Sequence, residues 1–158
     1  MSKQYLVFFL FLASCATISG FDQYSYTQTT SVKIDVLKLM DKSGEPYENH
    51  LKNIEEVNTK LLKNIEYEKH RPKNTITISM YNILWKLIND TATIHGAGVD
   101  FKHGFLPEWQ KQDSIKSKSF ITEAENQVAE GFDLIAELES KKIKQSDEGI
   151  SRFLSKNK

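Results

Sequence analysis

Between residues 36 and 65 the apolar positions Val36, Met40, Tyr47, Leu51, Ile54, Val57, Leu61 and Ile65 keep one phase at helical intervals. That spacing gathers them on a single stripe of an α-helix and leaves the polar positions for solvent. Lys52 and Glu56, and Glu56 and Lys60, stand four residues apart on the polar side, where opposite charges support a helix. Ser43-Gly44-Glu45-Pro46 interrupts the run, and Pro46 has no amide hydrogen to donate and clashes with the preceding turn. Because the stripe keeps its register across the proline, the pattern predicts one helix kinked at Pro46. It should end near His70-Arg71-Pro72, since Pro72 disfavours helical geometry in Arg71.

Asn74 suits the N-cap of the next element, and Met80, Ile83, Leu84, Leu87 and Ile88 form a short apolar helical face with Trp85 in the core. Residues 75–79 alternate as a strand would, but a lone short strand would have no partner, so helix is the expectation. A third stripe, Phe120, Ala124, Val128, Phe132, Ile135 and Leu138, predicts a helix over about 120–142. Its last turns carry Lys141, Lys142 and Lys144, which favour the negative end of the helix dipole. The stripes place Leu61 and Phe132 on facing sides of a core. Helices of this kind bury their apolar faces only against one another. The expected fold is therefore all-α, a small antiparallel bundle of two long helices and one or two short ones.

The ends are different in character. Residues 5–13 are an unbroken apolar and aromatic run behind Lys3, too short for the roughly 20 residues that a helix needs to cross hydrocarbon. The run ends in Leu12-Ala13, and Ser14-Cys15 complete the tetrapeptide Leu12-Ala13-Ser14-Cys15. This segment resembles the lipobox of bacterial lipoproteins, in which the small residues fit the signal peptidase and the cysteine thiol receives a diacylglyceryl group before cleavage. The resemblance covers only the first tenth of the chain, and no family resemblance is found for the body. It implies that Cys15 is the lipid attachment site and the first mature residue. An ordinary secretory signal with Ser14 and Ala16 at the cleavage positions is the competing reading. Cys15 is the chain's one cysteine, so it has no disulfide partner within the chain, and lipidation removes what would be a lone thiol in an oxidising compartment. The expected division is signal peptide 1–14, lipidated cysteine and tether 15–30, helical domain 31–144 and polar tail 145–158. The tether rests on the Ser, Thr, Tyr and Gln content of residues 16–30, although Tyr24 and Tyr26 could lie on headgroups or begin the first helix.

Charge narrows the partners. Removing Lys3 with the signal leaves 20 of the 21 Lys and Arg against 21 Asp and Glu, so no basic excess points to nucleic acid or to an anionic bilayer. Membrane attachment would come from the lipid. In the lipoprotein class, an Asp after the lipidated cysteine retains the protein in the inner membrane. Ala16 stands there instead, so the resemblance implies an outer-membrane protein facing the periplasm.

Residues 89–119 hold three of the seven glycines, one of the two tryptophans and two of the four histidines, with no long period. A helical turn is expected from Pro107, whose fixed φ suits a helix start. Within this stretch His95, Phe101, His103, Phe105 and Trp109 form an aromatic-rich group with two readings. It is either a patch that binds an unknown protein or envelope component, or a plug for the open end of the bundle. His95, Asp100 and His103 could instead ligate a metal or serve a small periplasmic enzyme, but their spacing matches no metal motif. Gly96-Ala97-Gly98 lacks the strand and helix of a phosphate loop. No nucleophile elbow is present, and Glu123, Glu125, Glu130 and Glu139 read as the wet face of the last helix. No catalytic residue, metal or cofactor is expected.

Overall fold

The computed structural model describes residues 20–90, 94–95, 100–101, 104–141 and 155–156. Its first helix starts where the sequence supplies a cap. Asp22 has extended backbone, and its Oδ1 accepts the amide protons of Tyr24 at 2.8 Å and Ser25 at 3.1 Å, which opens α1 (Gln23–Met40). Residues 23–30 are thus helix rather than tether. The reason lies in what faces inward: Ser25, Thr29, Val32, Val36 and Met40 are all buried at spacings of three or four. The first two are polar, so the apolar period stops while the helix continues. Thr29 Oγ1 donates to Ser25 O at 2.8 Å and lies 2.7 Å from the Tyr81 hydroxyl, so burying it leaves no orphaned group.

A 3₁₀ turn (Asp41–Gly44), Glu45 and Pro46, and a second 3₁₀ turn (Tyr47–His50) then reverse the chain into α2 (Leu51–Lys69). Lys60 meets Asp35 at 2.7 Å and the Tyr67 hydroxyl meets Asp22 at 2.6 Å, which puts α2 antiparallel to α1. Pro46 therefore marks a hairpin between two helices, and the single kinked helix is corrected. In such a hairpin both inner faces look into the same core, so an unbroken stripe cannot distinguish a kink from a reversal. Leu51 falls off the stripe, with 47% of its surface exposed, because the helical phase restarts after the turn.

α3 (Thr75–Asn89) is helical from its first residue, including 75–79, and Asn74 occupies the N-cap position. Beyond it, β1 (Ile94–His95) and β2 (Asp100–Phe101) form the only strand pair among the described residues, with Ile94 opposite Phe101 and His95 opposite Asp100. The Gly104 amide donates to Asp90 O, which brings the two ends of the 91–103 excursion together. A Cβ on Gly104 would come within 2.7 Å of Asp90 N and 2.8 Å of Lys86 O, so this approach needs a residue without a side chain. α4 (Phe105–Gln112) begins two residues before Pro107, which corrects the expected start. Pro107 is still tolerated, because amides of a first helical turn have no partner within the helix. α5 (Lys118–Lys141) completes the fold.

α1 and α3 each pack against both α2 and α5, so the four helices form an up-down-up-down bundle, and α4 lies against α3 and the Tyr47–His50 turn at one end. The fold is all-α, with four bundle helices in place of the expected two long and one or two short. Leu61 and Ile135 are fully buried and Phe132 is 1% exposed, in one core with Met80, Leu84 and Val128. Trp85 is partly buried against that core. Among the described residues no helix is long and apolar enough to cross a membrane.

Candidate functional site

The end of the bundle where the described chain begins is built from charge. Arg71 follows α2, and its guanidinium reaches three segments at once. Nη1 donates to Glu68 Oε2 and Glu139 Oε2, each at 2.9 Å, and Nη2 donates to Glu139 Oε1 at 3.0 Å and Gly20 O at 2.7 Å. Nε lies 3.6 Å from Asp22 Oδ2. The carboxylates are saturated too: Glu68 accepts from Ser25 Oγ and Asn74 Nδ2, and Glu139 accepts from the Asp22 amide. Asn74 thus spends its side chain on Glu68 rather than on the cap of α3. Side-chain exposure of 9% at Arg71, 1% at Glu68 and 5% at Glu139 makes this a buried ionic cluster. Burial works against the Arg71 charge, but the bonds to Glu139 and Glu68 outweigh it and hold its pKa above the usual value. The Tyr67 hydroxyl and the helix-capping amides push the Asp22 carboxyl below its ordinary range. Glu139 is therefore a buried ligand of Arg71, not part of a wet face. The four bonds from Nη1 and Nη2 all run to groups of the bundle itself, so this cluster is a clasp that closes the bundle around the start of α1.

The opposite end is built from rings. Trp109 and Phe105 are fully buried. Trp109 packs edge-on against Tyr47 at 5.4 Å and beside His50 at 5.3 Å, and its Nε1 donates to Glu45 O at 2.9 Å and Asp113 O at 3.1 Å. Phe105 stacks on Phe120 at 6.1 Å. Of the five residues offered as a binding patch, these two form the plug, and buried rings present nothing to a partner. For His95 and Phe101 the structure gives the backbone pairing of β1 and β2, and His103 lies outside the described residues. So do Cys15, Ala16 and most of the polar tail. Among the described residues no three His, Cys, Asp or Glu side chains stand close enough to hold a metal ion.

A third feature lies where α1 meets α5. Asp41 and Glu125 line a surface cleft of about 430 Å³ with Ile115, Lys118 and Ile121. Glu125 Oε1 is buried without a hydrogen-bond partner among the described residues. Burial, and then the nearby Asp41 carboxyl, push the Glu125 pKa up. Sequence reading missed both this pair and the Arg71 clasp. The available signal was weak: Arg71 beside Pro72 reads only as a helix stop, and carboxylates at helical spacing look the same on either face.

Against known proteins, no family model, curated protein or solved structure matches the chain.

Proposed function

We propose that the chain is the precursor of a bacterial lipoprotein, anchored through Cys15, whose helical body is an interaction module for a protein or another envelope component. The observation that carries this reading is Leu12-Ala13-Ser14-Cys15 at the end of the apolar run of residues 5–13, with the chain's one cysteine at the modification position. In the body, the buried Arg71, Glu68 and Glu139 are committed to holding helices together. Attachment depends on the acyl chains, each buried methylene contributing about 0.8 kcal/mol, so several chains hold where one binds reversibly. With Ala16 rather than Asp after the lipidated cysteine, the proposed destination is the outer membrane, facing the periplasm.

Metabolic labelling with a fatty acid tests the anchor. The wild-type protein should take up label, Cys15→Ser should not, and the labelled protein should band with outer-membrane fractions on a density gradient. Equal labelling of the two proteins would remove the anchor, while banding with the inner membrane would remove only the destination.

A further inference from the structure

The clasp determines how far the folded body can stand from its lipid. Arg71 holds Gly20 O, Glu139 holds the Asp22 amide, and Tyr67 holds the Asp22 carboxylate, so the chain is part of the rigid bundle from residue 20 onward. Gly20 is five residues beyond Cys15. A fully extended chain spans at most about 3.6 Å per residue, so Gly20 lies within about 18 Å of the lipidated residue whatever path the connection takes. A tether reaching to residue 30 would have let the body float free. The clasp removes that freedom.

The surface around Gly20 is suited to the place where it must then sit. Phe21 is 46% exposed, Tyr24 55% and Tyr67 36%, and the Tyr24 and Tyr67 rings lie 4.8 Å apart beside Asp22. These are three of the six large apolar or aromatic residues that the described structure leaves most exposed, and all three are at this end. Aromatic side chains favour the headgroup level of a bilayer, where Phe21 would bring its ring out of water, Tyr24 would keep its hydroxyl wet and Tyr67 keeps its hydroxyl on Asp22. Lys69 and His70, which border this end, both face Glu66.

We propose that Phe21, Tyr24 and Tyr67 form a bilayer-docking surface that rests on the headgroup region, and that the bundle stands on the membrane at this end. The proposal rests on the lipid anchor at Cys15. It follows that α1 and α3 run away from the membrane and that the Trp109 plug and the β1/β2 pair are held at the far end. Along the 15 residues of α3 that is a rise of about 22 Å. The end available to a soluble partner is then the distal one.

The test uses the full-length chain, expressed in lipidated form and reconstituted into phosphatidylcholine vesicles. Because Cys15 carries the lipid, Gln23→Cys and Leu51→Cys each supply one thiol for a nitroxide, the first beside the aromatic group and the second on an exposed residue at the opposite end of α2. Dissolved oxygen should reach the label at position 23 in preference to a water-soluble nickel chelate, with a collision ratio several-fold above that at position 51. Adding Phe21→Ser and Tyr24→Ser should bring the ratio at position 23 down towards that at position 51. Protein that floats with the vesicles but shows equal ratios at the two positions would overturn the docking surface and leave the anchor standing. Protein that does not float, with no acyl mass on Cys15, would overturn the anchor and the docking surface together.

Discussion

The two ends of this bundle solve the same packing problem with opposite chemistry. At one end Arg71, Glu68, Glu139 and Asp22 join the starts and ends of three helices through charge-assisted hydrogen bonds. At the other, Trp109, Phe105, Tyr47 and His50 fill the opening with rings, whose polar atoms are met locally, the indole N–H by Glu45 O and His50 Nε2 by the Glu45 carboxylate at 3.0 Å. The contrast shows how differently the two ends respond to change. A buried ionic cluster is stable only while every member is present, because removing one charge strands the others. A ring plug loses stability in proportion to the volume and the hydrogen bonds removed. A cluster in which each partner is specified also fixes geometry, and here it holds the start of α1 to the ends of α2 and α5.

The largest expected effect follows from breaking the clasp. Arg71→Met leaves Glu68 and Glu139 buried without their counter-charge and should cost roughly 3 to 5 kcal/mol, read as a lowered urea midpoint. If uncompensated charge is the cause, Glu139→Gln in the Arg71→Met background should recover part of the loss. A double variant that loses the full sum of the two single effects would mean that packing, not charge, dominates this end. At the distal end Trp109→Phe keeps a ring but strands the Glu45 carbonyl, while Asp113 O keeps the Tyr47 amide, at a cost of about 1 to 3 kcal/mol. The same Glu139→Gln change should leave that loss untouched, since residues in separate networks contribute additively.

The smallest expected effect is a gain. The Glu125 pKa is raised above its ordinary 4.5, so its neutral form is favoured in the folded state. Its favourable contribution is full below 4.5 and is lost as pH rises through the folded value. Glu125→Gln should therefore stabilise the protein slightly at neutral pH, by no more than about 0.5 kcal/mol because solvent screens a partly exposed carboxylate, and have almost no effect at pH 4. Asp22 has the opposite sign, because its pKa is depressed: its contribution is full above 3.8 and is lost as pH falls through the folded value. Thermal unfolding of Glu125→Gln across pH 4 to 8 checks the gain, and a gain that does not vary with pH would assign it to something other than the carboxylate's charge.

The helices with apolar stripes were legible in the sequence. α5 buries Ala124, Val128, Phe132, Ile135 and Leu138 as its period requires, and α3 buries Met80, Leu84, Leu87 and Ile88. What misled the pattern was polarity turned inward. Ser25 and Thr29 continue the α1 stripe with hydroxyls, and Glu139 points a carboxylate into the bundle, each made tolerable by a partner distant in sequence. Pro46 misled in another way, since a reversal and a kink leave the same phase. Trp109 could be read as plug or patch, and its burial follows only from where the chain after α4 returns: Tyr47 N to Asp113 O at 2.8 Å and Ile115 N to Ser43 O at 2.7 Å close that end.

Local periodicity was enough to determine the all-α class and the inward faces of α2, α3 and α5. Those properties reside in the spacing of side chains along a helix, which a sequence states directly. Which polar residues are buried, where the first helix begins and how closely its start is held to the rest were decided by tertiary structure alone. They depend on Arg71 meeting Glu139 across 68 positions and on Asp22 meeting Glu139 across 117, and spacing along the chain carries no record of a partner that far away.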